Sequence, residues 1–485
     1  MPSETSAVCD LTHHISKRTL QRGPSPLKST LPFMALPGML SLGGGLPHPS
    51  TFPIEEVSFK VQNRGAQALA AKTGSTEPVD EFITVTVGKQ PRPDGENQLP
   101  LASGLQYGNG YGQPAFHCTM RKFVERYSAP PYANWEIVAT AGNTDGIARA
   151  LELLTNPGDG ILLDEWAYPA VVELLPCHEL TAVGVKIDSE GMIPEELRRA
   201  TQEWNAQHPQ EHRLRVLYIV PTAQNPTGAT MSAQRRAELY AVAQELDLVI
   251  IEDDPYGPLQ FFDYPDGPDG LPGTRGLIPT ISSIDVDGRV VRLDCFSKVL
   301  APGLRCGIVT ASKDFSTYLC RIGEATVQQT AGFSQVLVVE LLERAWGFAG
   351  WEHHILELQR AYRRRCDTMM AAVDKYLVPD NLVSYSVPTA GMFLWMKVSL
   401  PQDLQDKPGV MKQIWDACIE ERVLLIFGYM FAADGSSEEG RLAAADAPYL
   451  RVSFSFVPED QIDEGIHRLA NVLRRFRCGT SASSN

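Results

Sequence analysis

The chain has 485 residues, of which 44% are hydrophobic and 21% charged, and a net charge of −15. That length exceeds one simple core and calls for two or more domains, while the composition is ordinary for a soluble globular protein. The acidic balance excludes phosphate-backbone binding as the main task, because that needs a basic face. Nine cysteines stand singly, with no Cys-x-x-Cys pair, so neither a disulfide framework nor a structural zinc site is expected. His208 and His212 have the spacing of one helix face, but Pro209 lies between them and no third ligand is evident. A surface loop is expected there, and no metal is assigned. No apolar run reaches the ~18 residues of a membrane span. Residues 1–10 lack the basic-then-apolar order of a secretory signal, which leaves the cytoplasm as the default and no membrane or nucleic-acid partner.

Residues 1–40 have weak periodicity and several prolines, as an arm lying on other structure would. Residues 74–100 are polar and rich in Pro, Gly and acidic side chains, and read as a long loop or insertion. Between 136 and 311 short apolar runs recur, at 136–141, 160–163, 181–187, 215–220, 248–251, 290–296 and 306–310. Helix-like segments such as 145–154 and 232–246 separate several of them. Apolar strands alternating with helices predict a mostly parallel sheet covered on both faces. Residues 263–276 and 432–448 read as loops. A helical stretch at 333–377, broken near Gly350, leads to strand candidates at 392–398, 423–427 and 449–454. The expected division is an arm and insertion at 1–100 packing on the small domain and active site, a large domain at 101–335, and a small α+β domain at 336–485. The tail at 479–485 reads as disordered.

Ligands of such sheets sit at the carboxyl ends of strands, and polar clusters follow the strand candidates closely. Gly142, Asn143 and Thr144 follow the first run; Gln224, Asn225 and Pro226 follow the fourth. Glu252, Asp253, Asp254 and Tyr256 follow the fifth; Ser297 and Lys298 follow the sixth, with Arg305 seven residues on. An amine beside fixed anion-binding groups suits an aldehyde cofactor that carries a phosphate: the amine links to the aldehyde while hydroxyl and guanidinium hold the phosphate. Asp253, leaving a buried strand, can keep a pyridine nitrogen protonated, although a turn or cap aspartate fits as well. Asn225 and Tyr256 can bond a ring oxygen, and Asn225 alone is also explained by the turn before Pro226. Asn143 and Thr144 at a helix start offer backbone N–H groups, as any N-cap would. Tyr168 can stack on a ring or serve as a core aromatic. Arg451, one charge in an apolar strand, wants a bidentate partner, a substrate carboxylate or a structural acid. The glycine runs at 43–45 and 108–112 open no βα unit, and no nucleotide site is assigned to them.

As an ordered set, these residues resemble the class I/II aminotransferases among the fold-type I pyridoxal-phosphate enzymes. The likeness is greatest to the fungal aromatic aminotransferases and the 2-aminoadipate/kynurenine aminotransferases, over about residues 25–476. It implies a seven-stranded, mostly parallel sheet in the large domain. It also implies pyridoxal 5'-phosphate, with Lys298 as Schiff-base lysine and proton shuttle and Asp253 at the ring nitrogen. Asn225 and Tyr256 would lie at the ring oxygen, and Asn143, Thr144, Ser297 and Arg305 at the phosphate. Tyr107 would reach the phosphate from the neighbouring subunit of a homodimer with shared sites. Arg451 would bind the α-carboxylate, Gly45 would lie against the substrate, and Lys28 would touch the substrate side chain. The expected reaction is transamination between an aromatic amino acid and a 2-oxo acid such as 2-oxoglutarate or phenylpyruvate. Action on 2-aminoadipate or kynurenine, or carbon–sulfur β-elimination, are the alternatives.

Overall fold

The computed structural model describes residues 8–477 apart from 31, 32, 34, 35, 94, 95, 209–211, 213, 262–275, 406 and 437. The loop expected at 263–276, save Gly276, and the tail at 479–485 lie outside the described residues. The first strands, β1 (Glu56–Gln62) and β2 (Phe82–Gly88), pair antiparallel with Glu56 opposite Gly88. Here the expectation of a loop across 74–100 is corrected. Ile83, Thr84, Val85, Thr86 and Val87 form a β-branched run, stiff at χ1 and suited to a strand, and Val85 and Val87 are buried.

The seven apolar runs become seven strands: β3 (Trp135–Thr140), β4 (Gly160–Asp164), β5 (Thr181–Val185), then β8 (Val216–Ile219), β9 (Val249–Asp253), β10 (Val290–Cys295) and β11 (Gly307–Ser312). Between β5 and β8, β6 (Ile187–Asp188) and β7 (Gly191–Met192) make a separate small hairpin. The run at 181–187 is therefore split. The order of the seven is β3-β11-β10-β9-β8-β4-β5. β10 is parallel to β9, and β4 to β8 and β5, whereas β11 runs against both β10 and β3. Every residue of β4, β8, β9 and β11 is buried. That is why these runs are mostly apolar rather than alternating, with Asp164, Glu252 and Asp253 as charged exceptions toward strand ends.

A second sheet contains β12 (Val383–Tyr385), β13 (Phe393–Val398), β14 (Ile426–Phe427) and β15 (Tyr449–Ser453), antiparallel in the order β12-β13-β15-β14. Residues 432–448 are not the loop expected: they contain a 3-10 turn, Ala433–Ser436, and a helix, Glu438–Ala444. The alanines at its end are strong helix formers. The long helical stretch breaks at Gly347 rather than near Gly350. A π turn, Leu341–Ala345, ends just before it, and Gly347 takes φ +58° as it opens the helix Gly347–Tyr376. Gly350 serves close packing instead, since a Cβ there would stand 2.8 Å from the Gly65 nitrogen.

The chain divides into two compact units. The first takes the described residues of Met1–Asn156, Val249–Pro255 and Tyr264–Glu357, the second those of Pro157–Leu248, Tyr256–Asp263 and Leu358–Asn485. In the first, Leu11 and Ile15 are buried, and Ser16 N donates to the Leu153 carbonyl at 2.7 Å, so the arm is fastened along a helix end.

Candidate active site

In the first unit, strand directions bring four chain segments to one edge. β3 and β10 end there and β9 ends beside β10 in parallel, while β11, running the other way, begins there. Gly142, Asp253, Ser297 and Arg305 are therefore neighbours of a single sheet edge. Asp253 is buried, and opposes Leu293 across the strand pair. Asn143 opens the helix Asn143–Leu154 and turns its amide inward, where Nδ2 donates to Asp253 Oδ1 at 2.6 Å and to the Leu293 carbonyl at 3.2 Å. Asn143 Oδ1 is buried without a partner.

Two unusual backbone conformations shape the space beside this helix start. Gly142 has φ +92° and ψ 173°, a region essentially reserved for glycine, and a Cβ there would stand 2.6 Å from Arg305 Nη2. Arg305 is itself left-handed, at φ +45°, and its Nη1 donates to the Pro302 carbonyl at 3.1 Å and to Ser297 Oγ at 3.4 Å. Guanidinium, hydroxyl and helix N-terminus together make a cradle for a doubly charged anion. Lys298 sits in a turn closed by Leu300 N and Ala301 N, both donating to the Phe296 carbonyl. Its amine is half-buried and has no hydrogen-bond or ion-pair partner among the described residues. Thr144 is exposed at the helix start, Gly45 is exposed, and Tyr107 is 59% exposed. The Lys28 amine is already engaged: it donates to the Gln328 carbonyl at 2.6 Å and lies 3.6 Å from Glu324 Oε1.

The second unit gathers Tyr168, Asn225, Tyr256 and Arg451. β4 and β8 are parallel, so Tyr168, which caps the helix Pro169–Cys177, and Asn225 both follow strand ends at one edge. Arg451 leaves β15 between two aromatic rings, its Cζ 4.4 Å from the Phe393 centroid and 4.9 Å from that of Phe431. Tyr256 packs edge-on against Phe393 at 5.8 Å. Arg451 Nη1 donates to Asn225 Oδ1 at 2.7 Å, while Nε is buried without a partner. Burial pulls this guanidinium below its ordinary pKa, against the opposing pull of the Tyr256 and Tyr168 hydroxyls. Arg451, Tyr168, Ile426, Tyr429 and Phe431 line a cavity of about 700 Å³. A guanidinium with one arm anchored and its Nε uncommitted is ready for a carboxylate fork.

Two polar features escaped sequence reasoning. Arg292 lies in β10, buried, with Glu252 Oε1 at 3.0 Å, Asp254 Oδ2 at 3.2 Å and Asp294 Oδ1 at 2.7 Å. Burial alone would lower its pKa, but the three carboxylates outweigh that and raise it. Glu252 also accepts from Ile281 N and Ser282 N at 2.8 and 3.0 Å, which fixes β9 behind Asp253. The available signal was Arg-x-Asp inside an apolar run. The other is the pairing of Gln224, itself in the polar cluster after the fourth run, with Asp164 at 3.0 Å. Elsewhere the described cysteines are free thiols, and no helix among the described residues is long and apolar enough to cross a membrane.

Residues 93–469 match the family model described as aminotransferase class I and II. An aromatic amino acid aminotransferase of Schizosaccharomyces pombe is 33% identical over 479 residues, covering 96% of each chain. The mitochondrial kynurenine/alpha-aminoadipate aminotransferase of Mus musculus is 31% identical, over 95% of this chain and 98% of that one. Among solved structures, an aminotransferase from Candida albicans superimposes with a TM-score of 0.85 at 32% identity, over 97% of this chain and 99% of that one.

Proposed function

Since this chain belongs to the class I and II aminotransferases, we propose that it catalyses pyridoxal-phosphate-dependent transamination between an aromatic L-amino acid and a 2-oxo acid such as 2-oxoglutarate or phenylpyruvate. The observation that carries the reading is the buried Asp253 carboxylate, held by Asn143 at the same sheet edge as the Gly142–Arg305 cradle. The residues suit the cofactor. A Cβ at Gly142 would fill the cradle, and the uncommitted Lys298 amine can take an aldehyde. When bound, the cofactor supplies a protonated pyridine that draws electrons from the substrate α-carbon.

In this reading Ser297, Arg305 and the N–H groups at Asn143 and Thr144 hold the phosphate, with Tyr107 joining from the second subunit of a homodimer with shared active sites. Asp253 keeps the ring nitrogen protonated, and Asn225, Tyr256 and Tyr168 orient the ring. Arg451 grips the α-carboxylate through Nε and its free arm, with Gly45 leaving room for the substrate. Lys298 Nζ holds the aldehyde between turnovers and takes the proton from the substrate α-carbon. Division into an arm and insertion (1–100), a large domain (101–335) and a small domain (336–485) belongs to the same reading, as does a cytoplasmic location. The names of the yeast and mouse relatives support aromatic donors and kynurenine or 2-aminoadipate donors respectively. The engagement of Lys28 by Glu324 favours the aromatic choice, because that amine is not left to attract an acidic side chain.

The test is a half-reaction. With phenylalanine, tyrosine or tryptophan and no acceptor, the visible band of the purified enzyme loaded with pyridoxal phosphate should fall, then return when 2-oxoglutarate is added. Bleaching with 2-aminoadipate alone would move the substrate assignment. Absence of any visible band after incubation with pyridoxal phosphate would refute the cofactor and the role of Lys298.

A further inference from the structure

Two buried side chains beside Asn225 take no part in binding or proton transfer as proposed. Gln224 is 1% exposed and Asp164 3%. The Gln224 amide spends its whole hydrogen-bonding capacity. Nε2 donates to Asp164 Oδ2 at 3.0 Å and to the Trp166 carbonyl at 2.5 Å, and Oε1 accepts from Thr227 N at 2.9 Å and Thr227 Oγ1 at 2.6 Å. A primary amide has two N–H bonds and two acceptor lone pairs, so nothing is left over. Its orientation is also dictated, because the reversed amide would set oxygen against a carboxylate and a carbonyl. The main chain of the same residue closes the turn, N donating to the Ala229 carbonyl at 2.8 Å and O accepting from Gly228 N at 2.6 Å. One residue thus ties the turn 224–229 to the segment that leaves β4.

Asn225 rides on that turn, and its Oδ1 is the acceptor that anchors Arg451. Asp164 keeps its second oxygen, Oδ1, buried without a partner. Such groups are costly, and an apolar pair of similar shape would stabilise the fold at least as well. What an apolar pair could not do is fix the height of the turn through four directed bonds.

We infer that Gln224 and Asp164 are positioning residues for the substrate-carboxylate site, a buried strut that sets Asn225, and through it Arg451. The inference rests on Arg451 as the carboxylate ligand. Gln224→Leu, made in the natural background and in Asn225→Ala, tests it by two readouts: KM and kcat for phenylalanine, and calorimetric Kd for 3-phenylpropanoate. A strut acting through Asn225 gives a rise of about tenfold or more in KM and in the Kd of 3-phenylpropanoate, and a rise below about threefold in the Asn225→Ala background. Equal rises in both backgrounds overturn it, since the effect would then bypass Asn225. If Gln224→Leu does not fold, Asp164→Ala goes through the same cycle.

A crystal structure of the variant that folds judges the strut without reference to activity. Displacement of Asn225 Oδ1 by more than ~1 Å from Arg451 Nη1, beyond hydrogen-bond range, supports it, and an unmoved pair refutes it. Failure of Arg451→Ala to weaken 3-phenylpropanoate binding would instead sink the carboxylate role of Arg451, leaving the crystal structure to decide on the strut.

Discussion

Gly142→Ala isolates the anion cradle from everything else in the site. The new methyl would lie 2.6 Å from Arg305 Nη2, 3.1 Å from Cζ and 3.2 Å from Nη1, closer than real Cβ contacts come. Its backbone, at φ +92° and ψ 173°, costs a non-glycine residue about 1–3 kcal/mol. The guanidinium, held on the other side by the Pro302 carbonyl and Ser297 Oγ, must swing away. Losing one charge-assisted bond to phosphate is worth about 1.5–3 kcal/mol, or roughly 10–150-fold in affinity. Fluorescence titration of the apoenzyme with pyridoxal phosphate should therefore show a Kd raised by about that factor, with a lower Tm. Gly303→Ala is the control, because a Cβ there meets nothing within 4 Å, and it should leave both readings unchanged. A Gly142→Ala protein that binds the cofactor within about twofold of the natural chain, well under 1 kcal/mol, would refute the cradle.

Other substitutions separate the remaining roles. Arg451→Lys removes the Nε and the planar fork while keeping the charge, so KM for phenylalanine should rise about tenfold or more with Tm little altered. An unchanged KM would place the carboxylate elsewhere. Asp253→Asn cannot hold a pyridinium by charge and should lower kcat by about 10²–10⁴-fold, which single-turnover absorbance would read. Asp164 is pushed by burial up to about 7, against the Gln224 bond and with Glu165 adding to the rise. A carboxyl whose folded pKa is raised stabilises the fold fully below its unfolded pKa, and that contribution fades as pH rises through about 7. Asp164→Asn should accordingly flatten the decline in denaturant-measured stability between about pH 4 and 8, and an unaltered slope would deny the buried, protonated state.

How much of this was legible in the sequence varies with the physics. The seven strands were readable because a sheet buried on both faces is apolar at most positions, and the apolar runs that open β4, β8 and β9 left no ambiguity of period. Strand β2 was hidden by its acidic, proline-rich flanks, although Phe82 to Val87 carries strong strand formers. The break expected near Gly350 lies at Gly347, because composition does not tell a glycine needed for positive φ from one needed for close packing. At the site, Lys298, Asp253 and Arg451 stood out as charges in or just after apolar runs. Gln224 stood in a polar cluster after a strand, but its role was not legible, since an amide next to Asn-Pro reads as a turn residue until its four partners are seen. Lys28 shows the opposite case: its position was visible, but its engagement by Glu324 depends on residues some 300 positions away.

The Asn225–Arg451 bond joins residues 226 positions apart, which bears on the order of events at the ribosome. At about 5–20 residues per second, the turn carrying Asn225 is made roughly 10–45 seconds before its arginine. Throughout that interval the Asn225 amide oxygen lacks the donor it will finally accept from. A nascent chain halted anywhere short of β15 remains in that condition, with no Arg451 to meet the acceptor.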